Sequence, residues 1–297
     1  MIGDCIASLL RSDYPSFEIV IVDNTDDGGI VRQTPAAERI RVIREERPGL
    51  SRARNTGLRR AEHDIVAFID DDVRVAVGWL RAIAAAFEDE SIDAVTGLVA
   101  PLELDTGAQR EFEWYGGMGR GRVRRLIQRS AMSDWQTIRT QAVGVGANMA
   151  FRRRVFDRVG EFDEALGAGT LTLGAEDLDF FHRVLGAGLT ICYEPAALVQ
   201  HRHRRSVPEL RAQIFANGVS YGVYLLKVWS ERTVPRGSVL TFAISWVTGR
   251  VATALFRVVA RPGIRCRLAW DEVRGLMQAP AAYRRAYRAG RRVQARG

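Results

Sequence analysis

"AFIDDDVRV", residues 67–75, sets three consecutive aspartates at the end of an apolar run. Carboxylates side by side repel one another, and each costs free energy to desolvate unless a partner compensates it. A divalent cation supplies the missing charge, and oxygen ligands suit Mg2+ or Mn2+. The bland alternative is a solvated acidic turn. The surroundings of the stretch decide between the two.

The aspartates close "DIVAFIDDD" (64–72), which reads as a strand. Upstream, "FEIVIVDN" (17–24) is a continuous β-branched run ending in polar residues, as a buried parallel strand would. "RIRVIRE" (39–45) reads as a second, more exposed strand, and "GLSRARNTGLRRAE" (49–62) as a helix with Ser51 as its N-cap. Downstream come an amphipathic helix, "GWLRAIAAAFED" (78–89), and a further strand, "IDAVTGLVAP" (92–101). This alternation predicts an α/β fold built on a mostly parallel sheet. Ligands of such sheets bind beyond the carboxyl ends of the strands. Asp23 and Asp70–Asp72 both stand at such ends, which favours the metal over the solvated turn.

The middle of the chain is less regular. "EWYGGMGRGRVRRL" (113–126) is rich in glycine and arginine and is expected to form a mobile loop near the site. "VGVGANMAFRRRVFDRVGEFDE" (143–164) reads as a strand entering a helix, and "GAEDLDFFHRVLGAG" (174–188) as an acidic helix start. "LTICYEPAALVQHRHRR" (189–205) reads as a strand ending in His201 and His203. Acidic residues favour helix N-termini through the backbone dipole, which accounts for one of Glu176 and Asp177 better than for both. As a functional group, Asp177 is a candidate general base. An imidazole near two carboxylates completes a plausible Mn2+ site. Strand alternation sends His201 and His203 to one face, so spacing leaves both as candidates. Arg52, Arg54 and Asn55 follow a glycine turn, a helix start that can hold phosphate. The alternative for them is a solvated surface helix. The sequence has no GxGxxG, GxxxxGK[ST] or GxSxG, which disfavours dinucleotide oxidoreductases, P-loop kinases and the usual serine hydrolases.

Composition bounds the partners. Hydrophobic residues at 47% and charged residues at 26% are ordinary for a globular chain of 297 residues, so wholesale disorder is not expected. The net charge is +8, but residues 231–297 carry fourteen arginines against three acids, leaving the first 230 residues slightly acidic. The basic character therefore belongs to the tail. Three widely spaced cysteines, Cys5, Cys192 and Cys266, form no disulfide framework or zinc knuckle and fit a reducing compartment. The N-terminus lacks the basic start and long apolar core of a signal peptide.

Taken in order, "IVIVDN", "PGLSRARNTGL", "FIDDD", "GANMAFRR", "GEFDE", "GAEDLDFFHRV" and "HRH" resemble family-2 glycosyltransferases with the GT-A fold, from about residue 5 to about residue 205. The resemblance implies a DxD motif on Asp70 and Asp72, binding Mg2+ or Mn2+ against a donor diphosphate, with His201 as a further metal ligand. It implies that Asp23 contacts the pyrimidine of a UDP- or dTDP-sugar, that Arg54, Asn55 and Asp70 belong to the nucleotide site, and that Asp177 is the catalytic base. Asn148 and Glu176 fall where the family lines the donor and acceptor pocket. The implied activity is inverting transfer of a sugar, of hexosyl or rhamnosyl type, to a hydroxyl of a glycolipid or polysaccharide precursor. Family members begin with a strand ahead of the helix that here reads "DCIASLLRSDYPS"; its absence raises the expectation that activity needs about 15–25 further upstream residues.

Residues 1–230 are read as the GT-A domain and 231–297 as a helical, arginine-rich tail. "GSVLTFAISWVTGRVATALFRVVARPG" (237–263) is apolar but interrupted by Arg250 and Arg257. Such arginines suit a helix lying in the membrane interface better than one spanning the bilayer. The tail is thus expected to meet an anionic membrane surface at the cytoplasmic face of the cell membrane. A soluble helical subdomain is the alternative. Nucleic acid is not expected, because no interleaved aromatics or reading motif accompany the arginines. The competing overall reading is a catalytically inactive scaffold or a membrane-binding protein.

Overall fold

A computed structural model of the chain describes residues 1–30, 38–260 and 264–294. The elements in order are α1 (Ile2–Leu10), β1 (Ile19–Asp23), β2 (Ile40–Arg44), α2 (Leu50–Arg60), β3 (Ile65–Ile69), β4 (Val73–Val75) and α3 (Trp79–Ala86). They continue with β5 (Ala94–Pro101), α4 (Gly107–Tyr115), β6 (Arg125–Ile127), α5 (Asp134–Ile138), β7 (Asn148–Arg152), α6 (Arg153–Val159), α7 (Glu176–Gly186) and β8 (Ile191–His201). Three long helices follow: α8 (Val207–Glu231), α9 (Arg236–Ala260) and α10 (Ile264–Gln294). Residues 261–263 and 295–297 of the expected membrane-contacting tail, and the side chain of Arg257, lie outside the described residues.

The sheet is mixed, as the GT-A resemblance implies, but its pairings are mostly antiparallel. β1 and β2 pair in parallel as a separate ribbon, and the main sheet runs β3-β7-β5-β8-β4 with β6 also on β8. Among the described residues of the main sheet only β5 and β8 pair in parallel; the other four pairings are antiparallel. The alternation of strands and helices up to residue 101 is correct, but direction depends on which strands become neighbours. β4 follows β3 with no helix between them, and β7 enters antiparallel between β3 and β5.

That order has a geometric consequence. β3 and β4 stand at opposite ends of the main sheet, yet Asp70–Asp72 alone connects them. Four residue steps reach at most about 14 Å, less than the width of five flat strands about 4.8 Å apart. The sheet must therefore curl. The register of β5 on β8 shifts between Gly97 and Leu98, opposite residues 194–198, and such an irregularity lets strands bend. Gly97 is required there, because a Cβ would run into the Ala197 carbonyl and the Asn148 amide.

Consecutive strand residues face opposite sides, and each side is covered. Val95, Ala150 and Cys192 pack with Cys5 and Leu9 of α1 and Trp79 and Ile83 of α3. Their neighbours Ala94, Met149, Phe151 and Ile191 pack with Leu58 of α2 and with Phe156, Phe180, Phe181 and Leu185 of α6 and α7. The Phe162 and Phe180 rings stack in that second layer at 4.4 Å.

The C-terminal helices join this body instead of trailing from it. A capping box, Ser206 with Glu209, opens α8, and Pro208 occupies its first turn. α8 and α10 run in the same direction, Gly218 against Glu272 and Gly222 against Ala279. α9 covers Tyr221 and Tyr224 of α8 through Val239 and Phe242. Among the described residues no helix is long and apolar enough to cross a membrane.

Candidate active site

The curl of the sheet brings the Asp70–Asp72 turn onto the end of β8. His201 is flanked by Pro101 of β5 and Val73 of β4, and the Arg202 amide donates to the Asp72 carbonyl at 3.1 Å. Ligand atoms of Asp70, Asp72 and His201 consequently lie within 4.8 Å of one another. Asp71 faces solvent. Asp72 Oδ1 is buried without a hydrogen-bond partner among the described residues; His201 Nε2 stands 3.3 Å away but is not aligned to donate. Burial, then the charges of Asp70 and Asp71, push the Asp72 carboxyl up to about 6. Burial, then His203, push His201 down to about 4. An orphaned buried oxygen, a partly exposed carboxylate and an imidazole held neutral by burial, all within 4.8 Å of one another, fit Mg2+ or Mn2+.

The next layer is held by Arg54, buried on α2. Its guanidinium donates to Glu176 at 2.8 Å, to Asp70 at 3.2 Å and to the Gly146 carbonyl at 3.0 Å. Burial opposes its charge, but Glu176, Asp70 and Asp177 more than offset that and raise its pKa. Burial, together with Asp177 and Asp70, pushes the Glu176 carboxyl up to about 7 against the pull of Arg54. Asp177 is locked by two backbone amides, Gly146 N–H at 2.8 Å and Leu178 N–H at 2.8 Å. It is presented by a strained turn in which Leu173 and Ala175 have φ of 62° and 76°, outside glycine's usual monopoly of that region.

These groups open onto a cavity of about 690 Å³ whose lining includes Asp70, Asp72, Glu176, Asp177 and His201. Several other lining residues were not foreseen. Gln141 and Gln213 each present a buried amide oxygen with no partner among the described residues. Trp246, Arg250 and Glu272 reach the cavity from α9 and α10, so the basic tail also builds its wall. No sequence motif marks them, because they arrive by the packing of α9 and α10 on α8.

The remaining expected residues divide. Asp23, at the end of β1, is buried, accepts from Thr25 at 2.6 Å and pairs with Arg44 at 3.3 Å. Arg52 turns away to Glu164 at 3.1 Å. Asn55, expected at the nucleotide, instead exchanges two 2.9 Å hydrogen bonds with the backbone of Phe162. Asn148, expected in the donor and acceptor pocket, is not in the cavity lining; its amide accepts from Trp79 and donates to the Leu98 and Ala197 carbonyls. Both asparagines are buried where strands or helices meet, and backbone groups there consume their hydrogen-bonding capacity. Ser51 is not the N-cap of α2. Gly49 fills that position with φ of 136°, its amide held by Asn24, while the Ser51 hydroxyl donates to the Leu166 carbonyl. The expected mobile loop after Tyr115 is anchored at both ends, by α4 and by β6.

Known proteins bear on this geometry. The family model described as "Glycosyl transferase family 2" matches residues 1–160. The pre-mycofactocin glycosyltransferase of Mycobacterium tuberculosis is 28% identical over 214 residues, covering 71% of this chain and 42% of that protein. Mouse polypeptide N-acetylgalactosaminyltransferase 12 is 26% identical over 222 residues, covering 68% of this chain and 37% of that protein. The chain thus spans about two-fifths of these relatives' lengths. In fold it resembles the mannosyltransferase PcManGT of Pyrobaculum calidifontis, solved with GDP-Man and Mn2+, with TM-score 0.62 at 17% identity over 94% of this chain and 83% of that one. That likeness gives the architecture, a GT-A fold. The family match extends over more than half of the sequence and includes the elements that carry Asp23, Arg54, Asp70 and Asp72, and by it this chain belongs to glycosyl transferase family 2.

Proposed function

We propose that the protein transfers a sugar, with inversion, from a UDP- or dTDP-sugar to a hydroxyl of a glycolipid or polysaccharide precursor. The observation that carries this reading is the meeting, in one cavity, of the Asp70–Asp72–His201 cluster and the Asp177 carboxylate. Mg2+ or Mn2+ held by those three ligands would supply positive charge where a departing diphosphate accumulates negative charge. Arg54 keeps Asp70 and Glu176 in place beside it. Asp177, fixed by two backbone amides, retains lone pairs with which to take the acceptor proton. The acceptor oxygen then bonds to the anomeric carbon as the carbon–oxygen bond to the diphosphate breaks, and the electron pair leaves with the diphosphate. Attack from the face opposite the leaving group inverts the configuration. Asp23 is assigned to the base of the nucleotide, while Asn55 and Asn148 support the site from behind.

Residues 1–230 carry the catalytic groups in this reading, and 231–297 both wall the cavity through Trp246, Arg250 and Glu272 and rest on the cytoplasmic face of an anionic membrane. Exposed Leu240 and Ile244 on α9, and exposed Arg284, Arg285 and Arg288 on α10, support that placement. The test is calorimetric titration of UDP and dTDP with and without Mn2+, on the wild type and on Asp72→Ala. Binding that requires Mn2+ and is abolished in the variant is expected. Binding indifferent to both Mn2+ and Asp72 would sink the proposal.

A further inference from the structure

His203 does not compete with His201 for the metal position; the two rings stand in series. His201 Nδ1 lies 3.0 Å from His203 Nδ1, and His203 Nε2 lies 2.8 Å from Glu113 Oε1. The His203 side chain is 1% exposed, so water does not serve its nitrogens. We propose that Glu113 and His203 are positioning residues that set the tautomer and the aim of His201 for metal binding. This rests on the metal reading of the Asp70–Asp72–His201 cluster.

The hydrogen-bond chain runs in one direction. A carboxylate only accepts, so Glu113 places the proton of His203 on Nε2. His203 Nδ1 is then bare and accepts from Nδ1–H of His201, which leaves the Nε2 lone pair of His201 facing Asp72. The reverse polarity would require His201 Nε2 to donate to Asp72. That contact, at 3.3 Å, lacks the alignment of a hydrogen bond, and Asp72 Oδ1 has no other donor among the described residues. Orienting partners behind a ligating histidine raise metal affinity because they remove the wrong tautomer and the wrong ring rotation.

The fold builds this arm deliberately. α4, which carries Glu113, begins with a Thr106–Gln109 capping box. The Glu113 carboxylate folds beneath Gly117, whose φ is 50° and where a Cβ would stand 2.6 Å from Oε1. The Phe112 and His203 rings pack edge to face, their centroids 4.7 Å apart. Backbone pairing on both sides fixes the main chain of His201, so its ring is the part left to be aimed.

The experiment titrates Mn2+ alone into the full chain by calorimetry, for the wild type, Asp72→Asn, Glu113→Gln and His203→Phe. Ring 15N shifts of the histidines are recorded in the metal-free proteins. The expected result is Mn2+ binding by the wild type, none in Asp72→Asn, and about 10- to 100-fold weaker binding in the other two. The His201 ring should be Nδ1-protonated in the wild type and mixed in those variants. Glu113 is partly exposed, so Glu113→Gln keeps the test valid where His203→Phe fails to fold. Wild-type affinity and an unchanged tautomer in both variants overturn this proposal alone. No Mn2+ binding by the wild type overturns the metal reading and this proposal with it.

Discussion

Arg54 is a buried cation facing Glu176 and Asp70, and each of these carboxylates is a charge that water would otherwise have solvated. Removing one partner of such a cluster is far more costly than the net worth of the pair, because the other charges stay buried. Arg54→Met keeps most of the aliphatic stem and should lower stability by about 3–5 kcal/mol at pH 8, measured by urea denaturation. Its pH dependence identifies the cause. The Glu176 carboxyl already sits at about 7, and without Arg54 it rises further. A raised carboxylate pKa favours the folded state at low pH and loses that contribution as pH rises through it. The deficit of the variant should therefore shrink from pH 8 to pH 5. A deficit constant over that range would mean that packing, not the Glu176 charge, is what Arg54 supplies.

The α8–α10 pair shows how elements carry the site. A Cβ at Gly218 would collide with the Glu272 carbonyl, and one at Gly275 with the Phe215 carbonyl, so the helices approach on glycine at both contact points. Gly218→Ala should cost about 1–3 kcal/mol or somewhat more, since backbone cannot swing aside like a flexible side chain. Gly237, near the start of α9, meets nothing within 4 Å, and Gly237→Ala should be neutral or stabilising by less than about 1 kcal/mol. Equal effects of the two substitutions on the urea midpoint would show that helix propensity, not close approach, governs these positions. Because Glu272 lines the cavity, the same packing also sets the shape of its outer wall.

At the scale of the whole molecule, α9 turns Val239 and Phe242 into the body and leaves Leu240 and Ile244 about half exposed. Val247 and Val251 continue that outer line at helical spacing. If this face rests on a membrane, Leu240→Ser with Ile244→Ser should reduce co-sedimentation with anionic vesicles about tenfold or more, from the apolar area withdrawn. Stability should change by no more than about 0.5 kcal/mol per site, as for other surface positions. Unchanged sedimentation would remove the membrane role from this face.

The strand-ending aspartates, the acidic start of α7 and the histidine ending β8 were legible in the sequence, because a strand terminus and a helix N-terminus are written locally in periodicity and capping. So was the α/β class, and the tail's basic charge. What the tertiary structure alone decided is which of these groups meet and which spend themselves on backbone. Asn55 and Asn148 have side chains suited to a ligand, yet burial at junctions of the sheet and helices commits them to carbonyls and amides of the chain. Ser51 has the chemistry of a cap, but Gly49 holds that position with a φ of 136° that favours glycine, and the Ser51 hydroxyl is spent on the Leu166 carbonyl. His201 and His203 are equivalent by strand alternation, and only the arrival of Glu113 from 90 residues away separates them. Strand direction and the contribution of α9 and α10 to the cavity likewise depend on contacts distant in the chain. Local preferences are settled by near neighbours; the competition for buried hydrogen bonds is settled only when distant segments pack.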